Sequence, residues 1–164
     1  MPSSLLRNQT GRLRAIAERL GLEPVAALAH QMGVQAVHRV TVRPIDRAIS
    51  STVATVRQTR IEGALLTLHF EGALGGKPLV STFPLARMEA LTRALAAADF
   101  DRLLDPPDLP VYDTVDLWLI ERAAGAFTHS AIVVPGMASG AYAALEAVIR
   151  QHLPEALRTL RAGR

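Results

Sequence analysis

Residues 115–134 read VDLWLIERAAGAFTHSAIVV. Two runs rich in β-branched, aromatic and large aliphatic residues flank a short Ala- and Gly-containing segment, which predicts a β-hairpin. Placing the turn over residues 123–126, with Gly125 supplying a positive φ, sets the register. Arg122 then faces Phe127, Ile120 faces His129 and Trp118 faces Ala131 on one side. On the other, Glu121 faces Thr128, Leu119 faces Ser130 and Leu117 faces Ile132. Both sides carry large apolar residues, so the hairpin is expected to be central and well buried. Trp118, the chain's single tryptophan, is expected in the core beside a small neighbour. Glu121 is expected to stay ionised beside solvent or to pair with an arginine.

Working outward, residues 78–83 (PLVSTF), 62–72 (EGALLTLHFEG) and 52–59 (TVATVRQT) read as strands. So does the stretch from Val37, where His38, Val40 and Val42 alternate with Arg39, Thr41 and Arg43. Period two with arginines on one side predicts a half-exposed strand with those arginines outward. Helical spacing appears over residues 3–20, with Leu6, Leu13, Ile16 and Leu20 on one face. A second helix is expected from Pro24 to about Met32, presenting Val25, Leu28 and Met32. A third spans about residues 84–98, with Leu85, Met88, Leu91 and Leu95 inward. A fourth starts near Ser139, a suitable N-cap, with Leu145, Ile149 and Leu153 as its stripe. Pro154 is expected to kink that helix or to start a new one. The segment DPPDLP at residues 105–110 must be an extended loop.

The predicted order is α-α-β-β-β-β-α-β-β-α. It describes a single α+β domain with a mostly antiparallel sheet of about six strands and helices on one face. Residues 1–36 form a helical segment packed on the domain or on a second subunit, and residues 37–164 form the α+β domain.

Composition bounds the function. The chain has 164 residues, 49% of them hydrophobic, and no cysteine. Disulfides, thiolate metal sites and cysteine nucleophiles are therefore excluded, and the usage fits a cytoplasmic protein. The N-terminal stretch has no continuous apolar run, with Arg12, Arg14 and Arg19 interrupting it, so it does not read as a signal peptide. No apolar stretch is long enough for a membrane span. Residues 1–60 hold nine arginines against three acidic residues, whereas the remainder is net acidic. Such asymmetry points to an anionic partner for the N-terminal part.

Other motifs are weaker. EGALGGKP at residues 71–78 has Pro78 where a phosphate loop needs Ser or Thr, and so reads as a hairpin turn. The histidines show no metal-ligand spacing, and neither metal nor cofactor is expected. Residues 13–32 resemble a degenerate helix-turn-helix, with Ile16, Ala17, Leu20, Gly21 and Leu22 at suitable positions. Its second helix offers Ala26, Ala27, Ala29 and His30, few of which can read bases.

The segment FPLARMEALTRALAAADFDRL, followed by DLWLIE, a glycine turn, a strand and a helix after Pro-Gly, resembles a group of small bacterial α+β proteins of unassigned function. The likeness covers roughly residues 37–153. Tyr112-Asp113 and Asp116 stand where that group has an Asp-Gly pair. The resemblance implies the α+β fold and a central place for Trp118 and Glu121. The layout is also similar to that of type III secretion chaperones, which implies a dimeric protein-binding module.

The resulting expectation is a non-enzymatic binding or assembly module and a homodimer. An acidic protein partner is expected on Arg12, Arg14, Arg19, Arg39, Arg43 and Arg57. The alternatives are a small-molecule site or enzyme pocket at Trp118, Glu121 and His129, or DNA binding through residues 13–32.

Overall fold

The computed structural model describes the backbone of residues 4–163 and the side chains of residues 8–163. Helices α1 (Ser4–Arg19) and α2 (Val25–Ala29) precede strands β1 (Val34–Arg43), β2 (Thr52–Thr59), β3 (Gly63–Phe70) and β4 (Leu79–Phe83). Helix α3 (Leu85–Ala97), strands β5 (Leu117–Ala124) and β6 (Phe127–Val133), and helix α4 (Ala141–His152) follow. The six strands form one sheet in the order β4-β3-β2-β1-β5-β6. Every neighbouring pair is antiparallel. The α+β domain with a six-stranded antiparallel sheet is thus as the periodicities predict. No described helix is long and apolar enough to cross a membrane.

The expectation of helices on one face holds for α3 and α4. Their Met88, Leu91, Leu95, Leu145 and Ile149 pack with Val40, Val56, Leu66, Trp118 and Ile120. The opposite face is covered as well. Leu13, Ile16 and Ala17 of α1 lie with Val53, Leu117, Leu119 and Ile132. Val25 and Ala29 of α2 lie with Val37 and Ala123. Of the apolar stripe that suggested a subunit interface at residues 3–32, Leu13, Ile16 and Val25 are therefore buried within their own chain, and Leu20 and Leu28 are half-buried there. Leu6 lies outside the described side chains.

A sheet covered on both faces changes the reading of β1. Arg39 is only 3% exposed and Arg43 only 9%. They do not point outward, because α1 and α2 sit above them. Alternation alone cannot tell a solvent face from a face that a helix covers.

The hairpin register also differs by two residues. Ala124 pairs with Phe127, Glu121 with Ser130, Ile120 with Ala131 and Trp118 with Val133. Gly125 has φ 56° and Ala126 has no positive φ. That is the pattern of a two-residue type II′ turn, whose twist matches the strands better than a four-residue loop. Strand β5 is central, but β6 lies at a sheet edge.

Three helix details are corrected. Helix α2 stops at Ala29 and leaves Met32 fully exposed. Leu85 opens α3 on its outer side. The residue before α4 is Gly140, with no side-chain cap from Ser139. The chain beyond Pro154 continues as a short 3-10 turn, Pro154–Leu157.

His38 illustrates what two-sided burial does to a polar side chain. It lies on the α3/α4 face, 3% exposed, and neither ring nitrogen has a hydrogen-bond partner. Burial lowers its pKa to about 4; the neighbouring Arg122 adds to this and Asp101 opposes it. Above pH 6.5 the ring is neutral in both folded and unfolded states. Below that, the unfolded state binds the proton first, so stability falls with pH. The expected loss from this residue between pH 6.5 and 4 is about 3 kcal/mol. Urea midpoints of the native protein and His38→Leu, measured at both ends of that range, test it. Parallel losses in the two proteins would show that His38 is not the cause.

Candidate anion-binding cleft

On one side of α1, residues 12, 15, 16 and 19 share a helix face, as the spacing i, i+3, i+4, i+7 requires. Arg12 and Arg19 lie at its two ends. They border a cleft of about 490 Å³ whose far wall is the connection between β1 and β2. Arg43, Arg47, Ser50 and Ser51 come from that wall, and Tyr112 and Asp113 from a 3-10 turn, Tyr112–Thr114. Gln9 Nε2 donates to the Pro110 carbonyl at 2.6 Å and ties that turn to α1.

The Tyr112 ring is held between two guanidinium groups. The Arg12 Cζ lies 3.7 Å from its centroid and the Arg43 Cζ 4.3 Å. Each is a cation–π contact that leaves the guanidinium edge free for hydrogen bonds. Arg43 donates to the Tyr112 carbonyl at 2.6 Å and to Asp113 Oδ1 at 2.6 Å. Arg12 reaches Asp113 only at 3.6 Å. At the opposite end, Arg19 forms a two-bond pair with Glu71, at 2.8 and 3.2 Å. The Glu71 hydrogen bond raises the Arg19 pKa, so its charge is secure. Burial pushes the Tyr112 hydroxyl up, against the opposing pull of Arg43 and Arg12.

Four guanidinium groups thus border the cleft against two carboxylates, Glu71 and Asp113. Among the described residues Arg47 has no ion-pair partner. Ser50 is 3% exposed and its Oγ has no hydrogen-bond partner. Surplus positive charge at one concave place suits an oxyanion.

The other predicted arginines lie elsewhere. Arg14 is on the far flank of α1, where its Nε meets Glu121 Oε1 at 2.8 Å and its Nη2 meets Ser130 Oγ at 3.2 Å. Arg39 donates to Thr55 Oγ1 at 3.0 Å and to the Glu23 carbonyl at 2.8 Å. Burial lowers the Arg39 pKa, and Glu121 partly offsets this. Strand register places Ser130, Glu121, Arg39, Thr55 and Thr67 in one row across five strands. This row fastens α1, through Arg14, and the connection before α2, through the Glu23 carbonyl, to the sheet. Arg57 stands on β2, 3.4 Å from Gln31 Oε1.

Trp118, Glu121 and His129 do not come together. Trp118 faces α4, with Arg150 Cζ 5.1 Å from its ring centroid. Glu121 faces α1. His129 lies four register rows from Trp118, its Nε2 2.9 Å from the Leu103 carbonyl and its ring edge-on to Phe100. An odd spacing along a strand puts residues on opposite faces, which separates Glu121 from Trp118. No pocket is built by these three.

The helix-turn-helix likeness leads to a second helix of five residues whose Val25 and Ala29 are buried against the sheet. His30 Nδ1 lies 2.6 Å from its own Ala26 carbonyl. Among the described residues, no group of three His, Asp or Glu side chains converges as metal ligands would.

Nothing in the sequence marks Arg47, Ser50, Glu71, Tyr112 and Asp113 as residues of one cleft. Their segments meet only after folding, and the charge asymmetry of residues 1–60 was the single available signal for the cleft. No protein-family model and no curated protein matches the chain.

Proposed function

We propose that this protein is a non-enzymatic binding module that recognises an acidic protein partner through arginines of its N-terminal part, chiefly Arg12, Arg19, Arg43 and Arg47. The observation that carries the reading is the convergence of four guanidinium groups on one cleft that supplies only two carboxylates. An incoming carboxylate gains Arg47 without displacing any described ion pair. It also competes with Asp113 for Arg12, whose present contact is long. The two carboxylates of the cleft are each engaged by arginine. Neither is therefore poised as a general acid or base, which favours binding over catalysis.

The test is fluorescence anisotropy with a labelled Asp/Glu-rich peptide. Arg47→Glu and Arg12→Glu are each expected to weaken binding at least about tenfold, because each reverses a charge at the cleft. Arg57→Glu, outside the cleft, is expected to bind as the native protein does. Affinity is expected to fall with added salt. Equal losses at Arg57 and Arg47, or no binding at low ionic strength, would defeat the proposal.

A second reading has one observation in its favour. A volume near 490 Å³ falls in the range of small-molecule sites, about 300–1,000 Å³. A small di- or tricarboxylate that displaces the peptide at low concentration would support this reading over the first.

A further inference from the structure

The two edges of the sheet are treated differently. At β6 the segment following α3 lies against the strand. Asp105 Oδ1 accepts the Ile132 N–H at 2.8 Å, His129 meets the Leu103 carbonyl, and Arg122 holds Asp101 at 2.8 Å. That edge is covered. Strand β4 pairs only with β3, and no other described segment hydrogen-bonds to its backbone. Its residues 79–82 are all exposed, and only Phe83 is buried.

An open edge normally carries a device against association: an inward charge, a proline within the strand, a bulge or a cover. Strand β4 has none of these. Residues 78–86 (PLVSTFPLA) include no charge, and both prolines stand outside the strand. Its register with β3 runs without a bulge. Exposed apolar side chains line it, with Leu79 at 40%, Val80 at 60% and Leu85 at 52%.

We propose that β4 pairs with β4 of a second copy of this chain, joining two six-stranded sheets about a two-fold axis. The choice of partner follows from symmetry. A two-fold contact sets each surface against itself, so a charged edge would meet its own sign, and this edge carries no charge. With the axis at Ser81, antiparallel pairing places Leu79 beside Phe83 of the second copy and Val80 beside Thr82. The exposed Leu79 and Val80 of each copy lose solvent contact in this pairing, while Lys77, outside the strand, falls opposite Leu85 of the second copy and not opposite its own like charge. The outward N–H and C=O groups of β4 gain ladder partners in the same step. This interface uses no residue of the arginine cleft and stands independently of the binding proposal.

The experiment is light scattering on the full chain at high micromolar concentration, followed by two substitutions at the exposed Ser81. The native chain is expected to have the mass of a dimer. Ser81→Lys sets two like charges opposite one another and is expected to give a folded monomer whose cooperative melting no longer depends on protein concentration. Because the chain has no cysteine, Ser81→Cys reports proximity directly. It is expected to oxidise to a covalent dimer, whereas Ser139→Cys, exposed on another surface, does not. A monomeric native chain, a dimer that survives Ser81→Lys, or equal crosslinking from Ser139→Cys would overturn the proposal. Ser81→Lys is further expected to leave acidic-peptide binding unchanged, which separates this interface from the cleft.

Discussion

Deletion of residues 1–33 is expected to unfold the protein rather than to release a smaller folded domain. Helices α1 and α2 cover Val37, Val53, Leu117, Leu119 and Ile132, all of which are fully buried. Exposing five side chains of this size forfeits roughly 7–15 kcal/mol of burial. Whole domains are stable by only about 5–15 kcal/mol. The deletion also strips the buried Arg39 of the Glu23 carbonyl and Glu121 of Arg14. A buried charge left without its partner destabilises far more than the intact pair stabilised. Far-ultraviolet circular dichroism and amide hydrogen exchange of the truncated chain test this. A cooperative melting transition with protected β1 and β5 amides would show that the sheet does not need its second helical layer.

Trp118→Ala is expected to destabilise the protein by about 3–5 kcal/mol, the usual range for truncating a buried ring. Trp118 is 4% exposed and packs in the layer formed by α3, α4 and the sheet. Its register neighbours are Val42 and Val133, themselves buried or nearly so, which gives the space left behind little means to collapse. Arg150 also loses the ring on which it stacks. Denaturant midpoints of the two proteins measure the difference. A loss under about 1 kcal/mol would mean that the site repacks or that the ring is accessible.

Much of the fold can be read from local pattern. The strands β2, β3 and β4 lie where alternation and turn residues put them, because each pairs with its neighbour in sequence and Gly63, Gly72, Pro78 and Pro84 mark the ends of β3 and β4. Helices α3 and α4 follow from Met88, Leu91 and Leu95, and from Leu145, Ile149 and Leu153, whose spacing commits one helical face to a core. The pairing of Glu121 with an arginine was legible as a class of outcome. Which arginine it would be was not, since Arg14 is more than a hundred residues away in the chain.

The hairpin register could not be read from composition alone. AAGA accommodates a two- or a four-residue turn, and only the twist of the paired strands chooses between them. A shift of two keeps every side chain on its own face, so the apolar pattern is blind to it.

By itself, then, the sequence determined an antiparallel α+β domain, the core role of Trp118, the absence of thiol chemistry and the concentration of basic charge in the first third of the chain. Those properties depend on residue identity and on spacing within one element. Tertiary structure alone decided that both faces of the sheet are covered, that Arg39 and Arg43 are interior, and that Trp118, Glu121 and His129 stand apart. It also decided that Arg12, Arg19, Arg43 and Arg47 share one cleft with Tyr112, and that β4 is left open while β6 is closed. The physical reason is the same in each case. Alternation along a strand says which side chains share a face, but the exposure of that face depends on what a distant segment lays over it.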